Sequence, residues 1–99
     1  MGVFLALTKD VKEGKSLIVK GPQGMGIVLI CLKGKIYAYE NVCPHLDGPV
    51  GEGEIEDSCI ACPWHGWLFD ITTGECQNVP GEELKKVAIS IEGDSVFLA

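Results

Sequence analysis

Basic residues are scarce in this sequence: 8 lysines and arginines stand against 14 acidic residues, a formal charge of −6 over 99 residues. A surface field of that sign repels phosphate backbones and anionic lipid headgroups, so neither nucleic acid nor a membrane surface is expected as a partner. Long apolar runs are missing as well. The opening MGVFLALTKD holds an apolar stretch of only six residues before Lys9 and Asp10, with no basic leader ahead of it, which fits neither a signal peptide nor a membrane span. A cytoplasmic location is the expectation. Met1-Gly2 begins like a myristoylation start, but position 6 is Ala rather than Ser or Thr. No repeat or low-complexity tract is present, and no acid, base and nucleophile fall together as a catalytic group would.

What the sequence does contain is enough apolar material, 46% of residues, for one folded domain of modest core, and too little length for a second domain beside it. Short β-rich runs recur: Val3 to Thr8, Ser16 to Lys20, Gly26 to Leu32, Lys35 to Tyr39, Trp67 to Ile71, Val87 to Ile91 and Ser95 to Leu98. They are separated by Lys33-Gly34, Thr73-Gly74 and Gly93-Asp94, residues able to take the positive φ of a hairpin turn. Ser58 to Ala61 reads as a further strand leading into a loop. Gly81 to Lys86 is the one helix candidate, and it serves equally well as a turn. The expected fold is all-β, an antiparallel sandwich or barrel.

Between Asn41 and Gly66 the pattern changes to a Gly- and Pro-rich stretch that carries both histidines of the chain. Each histidine closely follows a cysteine, as Cys43-Pro44-His45 and Cys62-Pro63-Trp64-His65, with sixteen residues between His45 and Cys62. One short loop can present a thiolate and an imidazole toward a common point, and two such loops can converge. Two sulfurs and two nitrogens suit tetrahedral zinc, or a [2Fe–2S] cluster with two Cys on one iron and two His on the other. Known zinc sites more often group their cysteines apart from their histidines.

The three remaining cysteines fall outside this quartet. An odd total of five, in a protein expected to stay in a reducing compartment, argues against a disulfide framework. Cys59-Ile60-Ala61-Cys62 forms a Cys-x-x-Cys, but the Pro63-Trp64-His65-Gly66 after it is not helical as a thioredoxin-like motif requires, so Cys59 is read as a buried small apolar residue. Cys31 is read as core, and Cys76 has no evident role.

The words around the quartet, Asn41-Val42-Cys43-Pro44-His45 and Cys62-Pro63-Trp64-His65-Gly66-Trp67-Leu68-Phe69-Asp70 followed by Thr73-Gly74, resemble the Rieske family. The likeness extends from the Lys33-Gly34 hairpin to Pro80 and the closing hairpin. It implies a single domain over residues 1–99, a sandwich of three antiparallel sheets, with a cluster-binding subdomain over about 42–70. One [2Fe–2S] cluster per chain is then held by Cys43 and Cys62 on the inner iron and His45 and His65 on the outer. Trp64 is placed at the cluster face, Trp67 and Phe69 as packing residues, and Pro44, Leu46, Pro63 and Pro80 as an apolar collar.

The resemblance also narrows the type. Respiratory members carry an extra Cys in each ligand loop, joined as a disulfide, and a Ser and a Tyr that donate hydrogen bonds to sulfur. Gly48, Trp64, Trp67 and Phe69 stand at those positions here, which implies a reduction potential in the lower part of the Rieske range. A free-standing soluble ferredoxin is implied: a monomeric electron carrier, not an enzyme by itself, between a flavin-dependent reductase and a terminal ring-hydroxylating oxygenase or other redox protein. An accessory subunit of a larger reductase, such as nitrite reductase, and a zinc-stabilised interaction module are the alternatives. Glu52, Glu54, Glu56 and Asp57 are read as lying in one loop, either a solvated face or a docking patch.

Overall fold

The computed structural model describes residues 2–44, 48–64 and 66–99. Nine strands are found among them: β1 (Val3–Leu7), β2 (Ser16–Lys20), β3 (Gly26–Leu32), β4 (Lys35–Glu40), β5 (Ile55–Glu56), β6 (Cys59–Ala61), β7 (Leu68–Asp70), β8 (Ile89–Glu92) and β9 (Ser95–Leu98). They form three antiparallel sheets of three strands each, ordered β1-β9-β8, β2-β3-β4 and β5-β6-β7. The all-β, three-sheet expectation holds.

The central sheet explains the longest apolar run. In β3, Ile27, Val28, Leu29 and Ile30 are all completely buried. Successive side chains of a strand point to opposite faces, so an unbroken apolar run means that both faces are covered. Ile27 and Leu29 pack with Leu5, Ala6, Val11, Ala38 and Val96, on the side of β1 and β9. Val28 and Ile30 pack with Tyr39, Ile60, Phe69, Ile71 and Leu84, on the side of β6 and β7. The β3–β4 hairpin turns at Lys33 and Gly34, both at positive φ (54° and 79°). The Glu13 carboxylate closes this turn, accepting the amides of Lys33 at 2.5 Å and Gly34 at 2.9 Å.

Three sequence expectations need correction, and one open choice is decided. Gly81 to Lys86 forms no helix: the Leu84 amide donates to Gly74, the Lys85 carbonyl accepts from Glu40, and Lys86 bridges to Tyr39, so the segment spends its hydrogen bonds on neighbouring chain. The acids of 52–57 do not share one loop. Glu52 ends a 3₁₀ turn (Val50–Glu52), Glu56 lies in β5, and Asp57, at φ 54°, turns the hairpin into β6. Cys31, near the end of β3, is only half buried: it packs against the edge of the apolar cluster of Ile27 and Leu29 and points its S–H to Glu13 at 3.5 Å. Cys59, expected to be buried, is half buried too.

Candidate metal centre

Two loops leave the β6 side of the core, and both are closed in the same way. The amide of Cys43 donates to the carbonyl of Gly48, and the amide of Cys62 to the carbonyl of Trp67, each at 2.8 Å and each five residues on. Each cysteine therefore spends its backbone donor on its own loop. Both side chains lie in the core beneath, Cys43 1% and Cys62 3% exposed, in the apolar cluster built on Val28, Ile30, Ile60 and Phe69. His45 and His65, together with Leu46, lie outside the described residues, so the geometry of the site is that of its two thiols and its loop frame.

Gly48 shows how the loops meet. A Cβ on Gly48 would come within 3.0 Å of the Trp64 indole and 3.3 Å of the Cys62 Sγ. Only a residue without a side chain lets the first loop approach the second this closely. Trp64 is 55% exposed even so, one side against Gly48 and the rest open to solvent. Phe69 is fully buried and Trp67 packs partly against it, their ring centroids 6.5 Å apart, as packing residues should. Val42, Pro44 and Pro63 are exposed on the loops; Pro80 is exposed too, but borders a cleft with Glu75, Cys76 and Gly81.

Acidic groups surround this end. A cleft of about 270 Å³ between Glu40, Val42, Pro44, Glu83 and Lys85 borders the first loop. Another, of about 390 Å³, runs along Glu52, Gly53, Glu54, Ala61, Cys62 and Pro63 beside the second. Farther back, Asp70 is held below the usual carboxylate range, chiefly by the Thr72 hydroxyl that donates to it at 2.7 Å. Burial pushes the Cys59 thiol up, and Asp70 adds to the effect, which keeps this third sulfur protonated rather than available as a thiolate.

Over residues 2–88 the sequence matches the family described as the Rieske [2Fe–2S] domain. The chain belongs to that family. It is 34% identical over 98 residues to the ferredoxin component of the p-cumate 2,3-dioxygenase system of Pseudomonas putida, covering 97% of this chain and 83% of the relative. It is also 34% identical over 94 residues to the ferredoxin component of the naphthalene 1,2-dioxygenase/salicylate 5-hydroxylase systems of a Ralstonia species, covering 94% and 89%. Among solved structures, the ferredoxin of Sphingomonas yanoikuyae B1 superposes with a TM-score of 0.89 at 25% identity, over 99% of this chain and 97% of that one. This Rieske chain is an electron-transfer protein of the ferredoxin kind, not a catalytic subunit.

Membership implies a [2Fe–2S] cluster, and the described half of the donor set fits one. Two buried sulfurs are brought to one corner by matched loops, beside a glycine that leaves space at the Cys62 Sγ. Soft thiolate donors are what iron–sulfur clusters take. Sequence reasoning did not find the two asparagines at the roots of these loops. Asn41 accepts the Gly51 amide at 2.6 Å, and Asn78 accepts the Leu68 amide at 3.0 Å while donating to the Gly66 carbonyl at 3.1 Å. Spacing motifs report ligands, whereas these bonds depend on where distant backbone comes to rest. Cys76, which had no evident role, is buried and directs its S–H to Asn78 Oδ1 at 3.2 Å.

Proposed function

We propose that this chain is the soluble, cytoplasmic, monomeric ferredoxin of an oxygenase system, a single domain over residues 1–99 with its cluster-binding subdomain at about 42–70. It carries one [2Fe–2S] cluster, held by Cys43 and Cys62 on the inner iron and by His45 and His65 on the outer. When bound, such a cluster supplies a one-electron couple. The observation that carries the reading is the pairing of two buried thiols at the ends of two identically closed loops, each of which continues into a histidine.

The proposed partners are a flavin-dependent reductase on one side and a terminal oxygenase on the other. Two relatives bear the names of oxygenase systems in this role. The acidic clefts beside both loops favour partners with basic docking faces, and the exposed Trp64, Val42, Pro44 and Pro63 supply the small apolar contact that transient redox complexes use. Inner thiols and outer imidazoles would place the electron's exit at the open end of the loops, where a partner can approach.

The purified protein should be red-brown, with one cluster per chain and a Rieske electron paramagnetic resonance spectrum on reduction. His45→Ala and His65→Ala should each abolish that spectrum, since an iron would lose half of its protein donors. A colourless protein containing zinc, or a histidine variant with an unchanged spectrum, refutes the assignment. A protein that leaves its source only in a complex with a larger enzyme refutes the free shuttle.

A further inference from the structure

Beyond the ligands themselves, we propose that Asn41 and Asn78 are positioning residues for the cluster, each closing the neck of one ligand loop; the proposal rests on the cluster assignment above. The two bonds differ in what they enclose. Asn41 and Gly51 are ten residues apart and enclose Cys43 and His45; Leu68 and Asn78 are also ten apart, and their bond ties the exit of the Cys62–His65 loop to a separate segment.

At the first neck a single atom acts. Asn41 Oδ1 accepts the Gly51 amide, while the Gly51 carbonyl accepts the Ser16 hydroxyl at 2.7 Å, so this one residue is held through both of its backbone polar groups. The grip leaves no room for a side chain: a Cβ on Gly51 would lie 2.7 Å from Ile18 Cγ1 and 2.9 Å from Asn41 Oδ1. Because Ser16 belongs to β2 and Asn41 follows β4, the loop is fastened to both edges of the central sheet. At the second neck both ends of the amide act. Oδ1 takes the Leu68 amide and Nδ2 holds the carbonyl of Gly66, the residue directly after His65, while the Gly66 amide donates to the Cys62 carbonyl at 3.0 Å. Asn78 thus holds the Gly66–Leu68 backbone at the exit of the ligand loop.

The chemistry of the two necks differs in a way that can be tested. An aspartate keeps an acceptor but has no donor. Asn41→Asp therefore preserves its bond, and Asn78→Asp loses the one to Gly66. Outer partners of this kind are worth about 10–100-fold in metal retention. The holoprotein and its variants are mixed with an iron chelator and the decay of visible absorption is followed, alongside the g values of the reduced protein. Asn41→Ala and Asn78→Ala should each lose the cluster about 10–100 times faster than the unsubstituted protein. Asn41→Asp should restore slow loss and Asn78→Asp should not. Val96→Ala, in the sheet on the far side of the core, serves as the control for general destabilisation and should leave both loss rate and g values unchanged.

Rapid loss in Val96→Ala, unchanged loss in both alanine variants, or aspartate rescue at 78 but not at 41 would each overturn the proposal. An unsubstituted protein without a Rieske spectrum would instead overturn the cluster assignment, so the two failures are distinct.

Discussion

The two faces of β3 are equally dry but differ in what they are made of. Ile27 and Leu29 look onto Leu5, Ala6, Val11, Ala38 and Val96, which offer carbon alone. Val28 and Ile30 look onto a cluster that includes Tyr39, Cys43, Cys62 and Cys76. The first half can be stabilised by burial of apolar surface and nothing else. The second half surrounds Cys43 and Cys62, the proposed donors, whose ligation would be part of its folding energy. On the proposed assignment, one strand joins a purely apolar half to a half that a cluster would complete.

Removing the iron separates the halves most sharply. In the apo-protein, backbone amides within 42–70 should exchange with solvent many-fold faster than in the holoprotein, while those of β1, β8 and β9 keep their protection. Hydrogen exchange read by mass spectrometry measures both at once, and equal protection of the loops with and without iron would remove the distinction.

Next in size are truncations on either face. Phe69→Ala should cost about 3–5 kcal/mol and Leu29→Ala about 2–5 kcal/mol, both from lost burial and the cavity left behind. Both side chains are fully buried. Only Phe69→Ala, beneath the cysteines, should also alter the visible and paramagnetic spectra of the cluster. Thermal unfolding of the two holoproteins beside their spectra tests the pair, and a spectral change in Leu29→Ala of equal size would show that the faces are not independent.

The smallest effect belongs to Tyr39, whose hydroxyl donates to the Ile71 carbonyl at 2.6 Å. Tyr39→Phe leaves that buried carbonyl unpaired, at a cost of about 1–3 kcal/mol. Burial, and then the charges of Asp70 and Tyr37, push the Tyr39 phenol from 10.0 up to about 12. The folded state holds the neutral form, so its contribution is complete below pH 10 and is lost as pH rises toward 12. The stability gap between the unsubstituted protein and Tyr39→Phe should therefore narrow across that window. Denaturant melts at a series of alkaline pH values test this, and a constant gap would refute it.

Much of this was legible in the sequence, for reasons that differ by region. Ser16–Lys20, Gly26–Leu32 and Ser95–Leu98 are strands over the same residues that β-rich runs between turn signals indicated, because local propensity and burial agree there. The proposed ligand positions rest on the sequence alone, which pairs each histidine with a cysteine. Where local signals failed, distant backbone had decided. Gly81 to Lys86 forms no helix because Gly74, Cys76 and Glu40 share its hydrogen bonds, and Ile55–Glu56 is a strand because β6 folds back on it. Asn41 and Asn78 look like ordinary loop polar residues until Gly51 and Gly66 are seen beside them.

The contact of Gly48 with Trp64 has a consequence for the conditions this protein can work in. At these two positions the respiratory members join their loops covalently through sulfur; here an indole lies against a bare backbone. That junction contains no bond for glutathione or a thioredoxin to open, and it forms without an oxidant. The loop frame is therefore indifferent to the thiol poise of its surroundings.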